Sequence, residues 1–285
     1  MRDAYRTEAG RAAVRQWCQS RLDDWPIPHE RSEILTSVGR THLVRAGAGS
    51  VTVLFLPGTN FNAATSLDFV AGLAEQHHVV AADLPGQPGL SAGSLAGEHS
   101  RAAHRLWVSE VITSLEAHAL VLVGHSLGAA VALMADPQRV AGIVLIDPAG
   151  LMRLRVGPAV LASTLVWLGR PSPHSSARML RSMSAPGHLP RADLTEWMTL
   201  VARHTRPRVA PAPLPSEELS RWQRTPRVAL SGERDCFLPV SKLAAAVRSR
   251  LAVDLEVIRG AGHLTPVEHP QRLTQAIATL AARTT

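Results

Sequence analysis

An α/β fold with a mostly parallel central sheet, flanked by helices on both faces, is what this 285-residue sequence predicts. Three observations carry that expectation. Hydrophobic residues make up 46% and charged residues 19%, enough to bury a large core and too apolar for global disorder. Short runs such as Val51-Thr52-Val53-Leu54-Phe55-Leu56 and Ala119-Leu120-Val121-Leu122-Val123 lack polar alternation, which suits strands covered on both faces. Beyond residue 77 such runs alternate with helix-period segments, the pattern of crossover units in a parallel sheet.

In chain order, residues 7–22 predict an amphipathic helix, with Ala9, Ala12, Ala13, Trp17 and Leu22 at helical spacing. Trp25-Pro26-Ile27-Pro28 ends it, so residues 1–32 form a helical extension. Two short strands follow at 33–38 and 41–45, joined at Gly39-Arg40. Strands are predicted at 51–56, 77–84, 119–123, 141–146, 227–230 and 255–258. Helices are predicted at 101–118, 127–135, 240–251 and 270–282. Between 151 and 225 no strand signal occurs, while 160–168 and 194–201 are apolar at helical spacing. Pro207, Pro211, Pro213 and Pro215 make the return leg extended. The expected organisation is a core of residues 33–150 and 226–285 with a helical insertion at 151–225.

Composition removes several classes of function. The formal charge is +7, but the arginines are scattered and only 4% of residues are aromatic, so no nucleic-acid partner is expected. Cys18 and Cys236 are too few for a disulfide scaffold and read as small core residues. The first residues lack an apolar signal region, and the longest apolar run, 156–168, is shorter than the roughly 20 residues a membrane span needs. A cytoplasmic setting without a membrane span is expected. There is no H-E-x-x-H, no CxxC pair, no phosphate loop and no G-x-G-x-x-G after a strand, so no metal and no cofactor is expected.

The segment that carries chemistry is Val123-Gly124-His125-Ser126-Leu127-Gly128-Ala129. A buried strand, then G-x-S-x-G, then an alanine-rich helix places a serine hydroxyl on a sharp turn clear of the sheet. Gly124 and Gly128 stand where a Cβ would collide with a neighbouring strand or helix. The helix N-terminus behind Ser126 favours a developing negative charge. The five-residue pattern arises by accident about once in ten chains of this length. The strand before it and the helix after it supply the specificity.

This segment resembles the nucleophile elbow of the α/β-hydrolase superfamily. The similarity extends from about residue 33 to the end, with 151–225 standing where that superfamily carries its cap. The nearest shape is an esterase-like serine hydrolase. The resemblance implies a catalytic set of Ser126, Asp235 and His263, in the superfamily's chain order. His263, in Gly260-Ala261-Gly262-His263, is similar to the superfamily's late histidine, with Glu268 and Pro270 matching the tail of that motif. Asp235, in Ser231-Gly232-Glu233-Arg234-Asp235, resembles its acid loop. Asp147 is the other candidate, since some members take their acid one strand earlier; its bland role is to cap the turn into the insertion. Asp83 to Ser91 resembles another superfamily turn and reads as structural.

The oxyanion donors implied are the backbone amides of Leu127 and Thr59, with Asn60 as alternative to Thr59. Where the superfamily usually has His-Gly, this chain has Pro57-Gly58, a departure that bears on the geometry of the loop. Asn60, Phe61, His125, Trp167 and Trp197 are candidates for binding substrate, although His125 also reads as a packed neighbour of the site. The implied reaction is hydrolysis of a carboxylic ester of a small to medium, moderately hydrophobic molecule through an acyl-enzyme. C–C bond, lactone or thioester hydrolysis on the same residues, and a non-catalytic receptor using the same cleft, are the alternatives.

Overall fold

The computed structural model describes residues 3–95, 101–207 and 211–284. Helix α1 (Glu8–Asp23) opens the fold, its first turn capped by the Thr7 hydroxyl, which accepts from the Gly10 amide. A hairpin follows, β1 (His29–Thr36) and β2 (Gly39–Ala46), with Thr36 opposite Gly39. The strand therefore begins four residues before the expected start, and the bend lies at Ser37-Val38 rather than Gly39-Arg40. Gly39 opens β2 at φ 128°, a conformation that closes the bend and that a side chain rarely adopts.

Strand β3 (Thr52–Leu56) leads to α2 (Leu67–Ala74) and β4 (His78–Ala82). Then come α3 (Arg101–Ser114), β5 (Leu120–His125), α4 (Leu127–Ala132) and β6 (Gly142–Ile146). The segment between β6 and the next strand holds α5 (Pro158–Gly169), α6 (Pro173–Met183), α7 (Ala192–His204) and the short α8 (Ser216–Ser220). The chain closes with β7 (Arg227–Gly232), α9 (Val240–Leu251), β8 (Leu255–Ile258), α10 (Thr265–Glu268) and α11 (Pro270–Ala281). The eight strands form one sheet in the order β1-β2-β4-β3-β5-β6-β7-β8. Only β1–β2 and β2–β4 pair antiparallel; every other pairing is parallel.

Alternation in the central strands explains their unbroken apolarity. Val53, Phe55, Val121, Val123, Val144 and Ile146 point into one core, shared with residues of α1, α2 and α11. Leu54, Leu56, Leu120, Leu122, Ile143 and Leu145 point into the other, with residues of α3, α4 and α9. A strand with only one covered face would alternate with polar residues; these have none to spare. Each such side chain withdrawn from water contributes about 1.5–3 kcal/mol.

Helix α1 is wedged between this core and the inserted helices. Trp17 stacks at 4.8 Å on Trp197 of α7, Arg21 pairs with Asp193, and the Arg6 amide donates to the His204 carbonyl. On its other side the Asn62 amide donates to the Cys18 sulfur at 3.4 Å. Cys18 is fully buried and Cys236 partly so, and both thiols are free. Among the described residues no helix is long and apolar enough to cross a membrane.

Candidate active site

Strand β5 passes directly into α4, and the residue between them is Ser126 at φ 51°, ψ −111°. A non-glycine residue held there costs about 1–3 kcal/mol, so the surroundings must fix it. They do: the Ser126 amide donates to the Ile146 carbonyl at 2.9 Å, and its own carbonyl accepts from Ala129 and Ala130. A Cβ on Gly128 would stand 1.9 Å from the Leu56 carbonyl oxygen, and one on Gly124 2.5 Å from the Ala129 Cα. Both glycines are thus required by the approach of α4 to β3 and β5.

Ser126, Asp147, Asp235 and His263 all follow the carboxyl ends of parallel strands, where open α/β sheets collect their ligands. His263 sits on the loop after β8. Its amide donates to the Met183 carbonyl at 2.7 Å, and Glu268 accepts from the Gly262 and Ala185 amides, both at 2.9 Å. The end of α6 therefore clamps the histidine loop from the insertion side. A Cβ on Gly262 would stand 2.4 Å from that same Met183 oxygen.

The imidazole joins two groups that lie far apart in sequence. The Ser126 hydroxyl donates to Nε2 at 3.0 Å, and Nδ1 donates to the Asp235 carboxylate at 2.8 Å. The acceptor-only carboxylate fixes the proton on Nδ1 and leaves the Nε2 lone pair facing the hydroxyl. Asp235 is itself held, because its other oxygen accepts from the Phe237 and Leu238 amides at 2.8 and 2.9 Å. Phe237 presents its ring edge-on to the imidazole at 4.8 Å. A hydroxyl in such a chain can pass its proton to nitrogen as the oxygen attacks carbon.

Asp147 is placed differently from its expected role. It is fully buried at φ 44°, and its Oδ1 accepts from the Ser231 hydroxyl at 3.0 Å and the Gly232 amide at 2.9 Å. It therefore pins the end of β7 instead of capping its own turn. Its Oδ2 lies 3.5 Å from His125 Nε2, which donates to the His263 carbonyl at 2.9 Å. Burial raises the Asp147 carboxyl, but His125, the charge of His263 and the Thr265 hydroxyl outweigh it and hold the group below its ordinary range.

Two carboxylates thus act on one imidazole. Burial pushes His263 down, but the Asp235 charge and hydrogen bond, then Asp147 and Glu268, outweigh it and raise the group above its ordinary 6.5. A raised folded-state value stabilises the fold below about pH 6.5, and that contribution is lost as pH rises through the folded value. Proton acceptance has the opposite sign, because only the neutral ring can take the serine proton. The acid limb of kcat/KM for any reaction in which this ring accepts the Ser126 proton is therefore expected above pH 6.5. A limb at or below 6.5 would contradict this balance of charges.

Ser126 opens into a cavity of about 330 Å³. Gly58, Thr59, Asn60 and Phe61 line it from the sheet side, while Leu161, Trp167, Met179 and Met198 line it from the inserted helices. A model of the alpha/beta hydrolase family matches residues 53–276, which run from β3 through the serine turn, the insertion and the histidine loop into α11. The chain belongs to the alpha/beta hydrolase family. This hydrolase-family chain is 27% identical over 282 residues to the carboxylesterase YbfK of Bacillus subtilis (strain 168), covering 95% of this chain and 93% of that one. Its structure is similar to that of naproxen esterase (carboxylesterase NP) from Bacillus subtilis, with a TM-score of 0.77, 21% identity and coverage of 93% and 95%. It is also similar to a variant of the meta-cleavage product hydrolase CumD, with a TM-score of 0.72, 18% identity and coverage of 88% and 98%. Likeness at these identities concerns the fold.

Within this hydrolase fold the residues expected from sequence divide clearly. Ser126, Asp235 and His263 are brought together, and Thr59, Asn60, Phe61, His125 and Trp167 line the cavity beside them. Trp197 is not among the lining residues. It is fully buried, and its indole N–H donates to the Asn60 carbonyl at 2.7 Å, so it ties α7 to the loop after β3. The Asn60 amide is engaged, donating to Gln87 Oε1 at 3.0 Å. Leu127 follows Ser126 as the first residue of α4. The Asp83 turn is structural: its carboxylate accepts from Ala63 and Leu90 amides at 2.8 and 2.9 Å, bracing the loop behind Thr59. Phe237, Leu264 and Thr205 to Pro207 line the cavity as well, though none of them is a site residue expected from the sequence. Only the position of Phe237, two residues after Asp235, points towards the site.

Proposed function

We propose that this chain is a serine hydrolase that cleaves carboxylic esters of small to medium, moderately hydrophobic molecules. One observation carries the reading: an unbroken Ser126–His263–Asp235 hydrogen-bond chain at 3.0 and 2.8 Å opens into a largely apolar cavity of about 330 Å³. The carboxylesterase relative supports the choice of ester as substrate.

In this reading Ser126 Oγ attacks the ester carbonyl while its proton passes to His263 Nε2. The tetrahedral oxyanion accepts from the amides of Leu127 and Thr59. The C–O bond to the alcohol breaks, and the Nε2 proton leaves with the alcohol. Water then gives a proton to Nε2 and its oxygen to the acyl carbon. Collapse releases the acid and returns the proton to Ser126. Residues 151–225 act as the cap that shapes the acyl site. No metal or cofactor takes part, and the substrate is a small molecule rather than nucleic acid.

The test is a series of p-nitrophenyl esters of increasing acyl length, beside a fluorophosphonate label. The label is expected on Ser126. Each methylene that enters the apolar cavity contributes about 0.8 kcal/mol, so kcat/KM should climb by up to about fourfold per carbon until the cavity is full, then fall. No labelling of Ser126 would favour the receptor reading. Labelling with turnover of vinylogous diketones but not of esters would favour the C–C hydrolase.

A further inference from the structure

Helix α5 breaks the rule that a surface helix shows water a polar face. Its buried stripe is Val160, Ser163 and Trp167. The opposite side is exposed and carries Pro158, Ala159, Leu161, Ala162, Leu165, Val166 and Gly169, without a charged or hydrogen-bonding side chain. Leu161, Leu165 and Val166 are 49%, 62% and 41% exposed, and Val156 just before the helix is 54% exposed. The neighbouring α6 shows the ordinary pattern, with His174, Arg178 and Arg181 outward.

The charge of the segment that carries this face is one-sided, and the acids of the adjoining α7 are engaged elsewhere, Asp193 with Arg21 and Arg191 and Glu196 with the Trp17 indole. Residues 151–190 contain five arginines, Arg153, Arg155, Arg170, Arg178 and Arg181, and no aspartate or glutamate, within a chain of formal charge +7. All five are exposed, and none forms an ion pair among the described residues. Arg153 and Arg155 precede α5, Arg170 follows it, and Arg178 and Arg181 lie on the helix packed beside it. Val156 and Leu161 also line the cavity that holds Ser126, so the exposed apolar face is continuous with the mouth of the site.

We propose that the outer face of α5 docks on an anionic lipid surface. An uncharged helix flanked by arginines is what a bilayer interface accepts: aliphatic side chains enter the acyl boundary while guanidinium groups stay at the phosphate level. A second copy of this chain is a poor occupant, because two faces with five unpaired arginines each would repel. An acidic protein would satisfy the charge, but the featureless aliphatic stripe offers it no directional contact. Docking turns the cavity mouth towards the lipid, so an apolar ester would enter without crossing water. That last consequence rests on the ester-hydrolase reading; the docking itself does not.

Co-sedimentation of the Ser126→Ala protein with vesicles tests the docking without turnover. Binding is expected to phosphatidylglycerol-containing vesicles and to be weak for pure phosphatidylcholine. It should fall as salt shortens the screening length from about 10 Å at 0.1 M. Leu165→Asp and the pair Arg178→Glu/Arg181→Glu should each lower binding by about tenfold or more. In the Ser126 background, the same variants should hydrolyse a water-soluble acetate ester within about twofold of the parent, which shows that they fold. Equal binding to both vesicle types, no binding, or unaltered binding by Leu165→Asp would overturn the proposal. So would a dimer, or a complex with an acidic protein, that Leu165→Asp dissolves without vesicle binding in the parent. Vesicle binding without ester turnover in the parent would sink the functional reading alone; turnover without vesicle binding would sink this inference alone.

Discussion

Replacing Ser126 with alanine is expected to lower kcat for a short p-nitrophenyl ester by a factor on the order of 10⁶. In the proposed mechanism the serine oxygen is the only atom that bonds to substrate, and nothing else in the cavity replaces it. His125 also lines the wall, but its Nε2 is already committed to the His263 carbonyl at 2.9 Å. The residual rate should come from the amides that receive the oxyanion and from binding alone. Folding is expected to be nearly untouched. Alanine occupies φ 51° with about the same strain as serine, and the backbone bonds to Ile146, Ala129 and Ala130 do not involve the hydroxyl. Purified Ser126→Ala protein should melt within a few degrees of the parent while losing burst and steady-state product alike. Parent-like hydrolysis by this variant would remove Ser126 from the reaction.

How much of this was legible in the sequence depends on whether the determining forces are local. The central strands were readable because burial on both faces removes polar alternation. The serine turn was readable because α4 passes so close to β3 and β5 that Gly124 and Gly128 are required within a few residues of Ser126. Helix α2 left no clear trace: it is eight residues long, and four of them are buried, so it has little polar face to create a period. Helix α6 was hidden for the reverse reason, since its serines and arginines weaken the apolar repeat. Its start was nonetheless marked by Ser172, which makes a capping box with Ser175, and by Pro173 in the first turn. Trp197 illustrates the limit of pattern reading. Helical spacing marks it as inward-facing but cannot distinguish the cavity from the contact with Trp17 and Asn60. The choice between Asp147 and Asp235 was a tertiary matter too, because both follow strands and both end buried beside His263.

Those two carboxylates give the second large effect. Asp235→Asn is expected to lower kcat by about 10⁴, whereas Asp147→Asn should retain activity within about tenfold. The Phe237 and Leu238 amides donate to Asp235 Oδ1, so an asparagine will keep its oxygen there and turn its NH₂ towards His263 Nδ1. Two donors cannot face each other, and the imidazole must carry its proton on Nε2 instead. Nε2 then has no lone pair for the Ser126 hydroxyl, and the ring is in the wrong tautomer for proton transfer. At Asp147 the Ser231 and Gly232 donors hold Oδ1 in the same way, but Oδ2 faces His125 Nε2 at 3.5 Å and not His263 Nδ1, so an amide there leaves the His263 tautomer unchanged. What Asp147→Asn removes is a buried negative charge that helps raise His263. Its signature is therefore a displacement of the acid limb of kcat/KM to lower pH, with the plateau kept. Asp235→Asn should instead lower the plateau across the whole range. Measured side by side, the two pH profiles separate a residue that orients the imidazole from one that biases its charge. A collapsed plateau for Asp147→Asn with a mild effect at Asp235 would move the acid to the end of β6 and overturn the assignment.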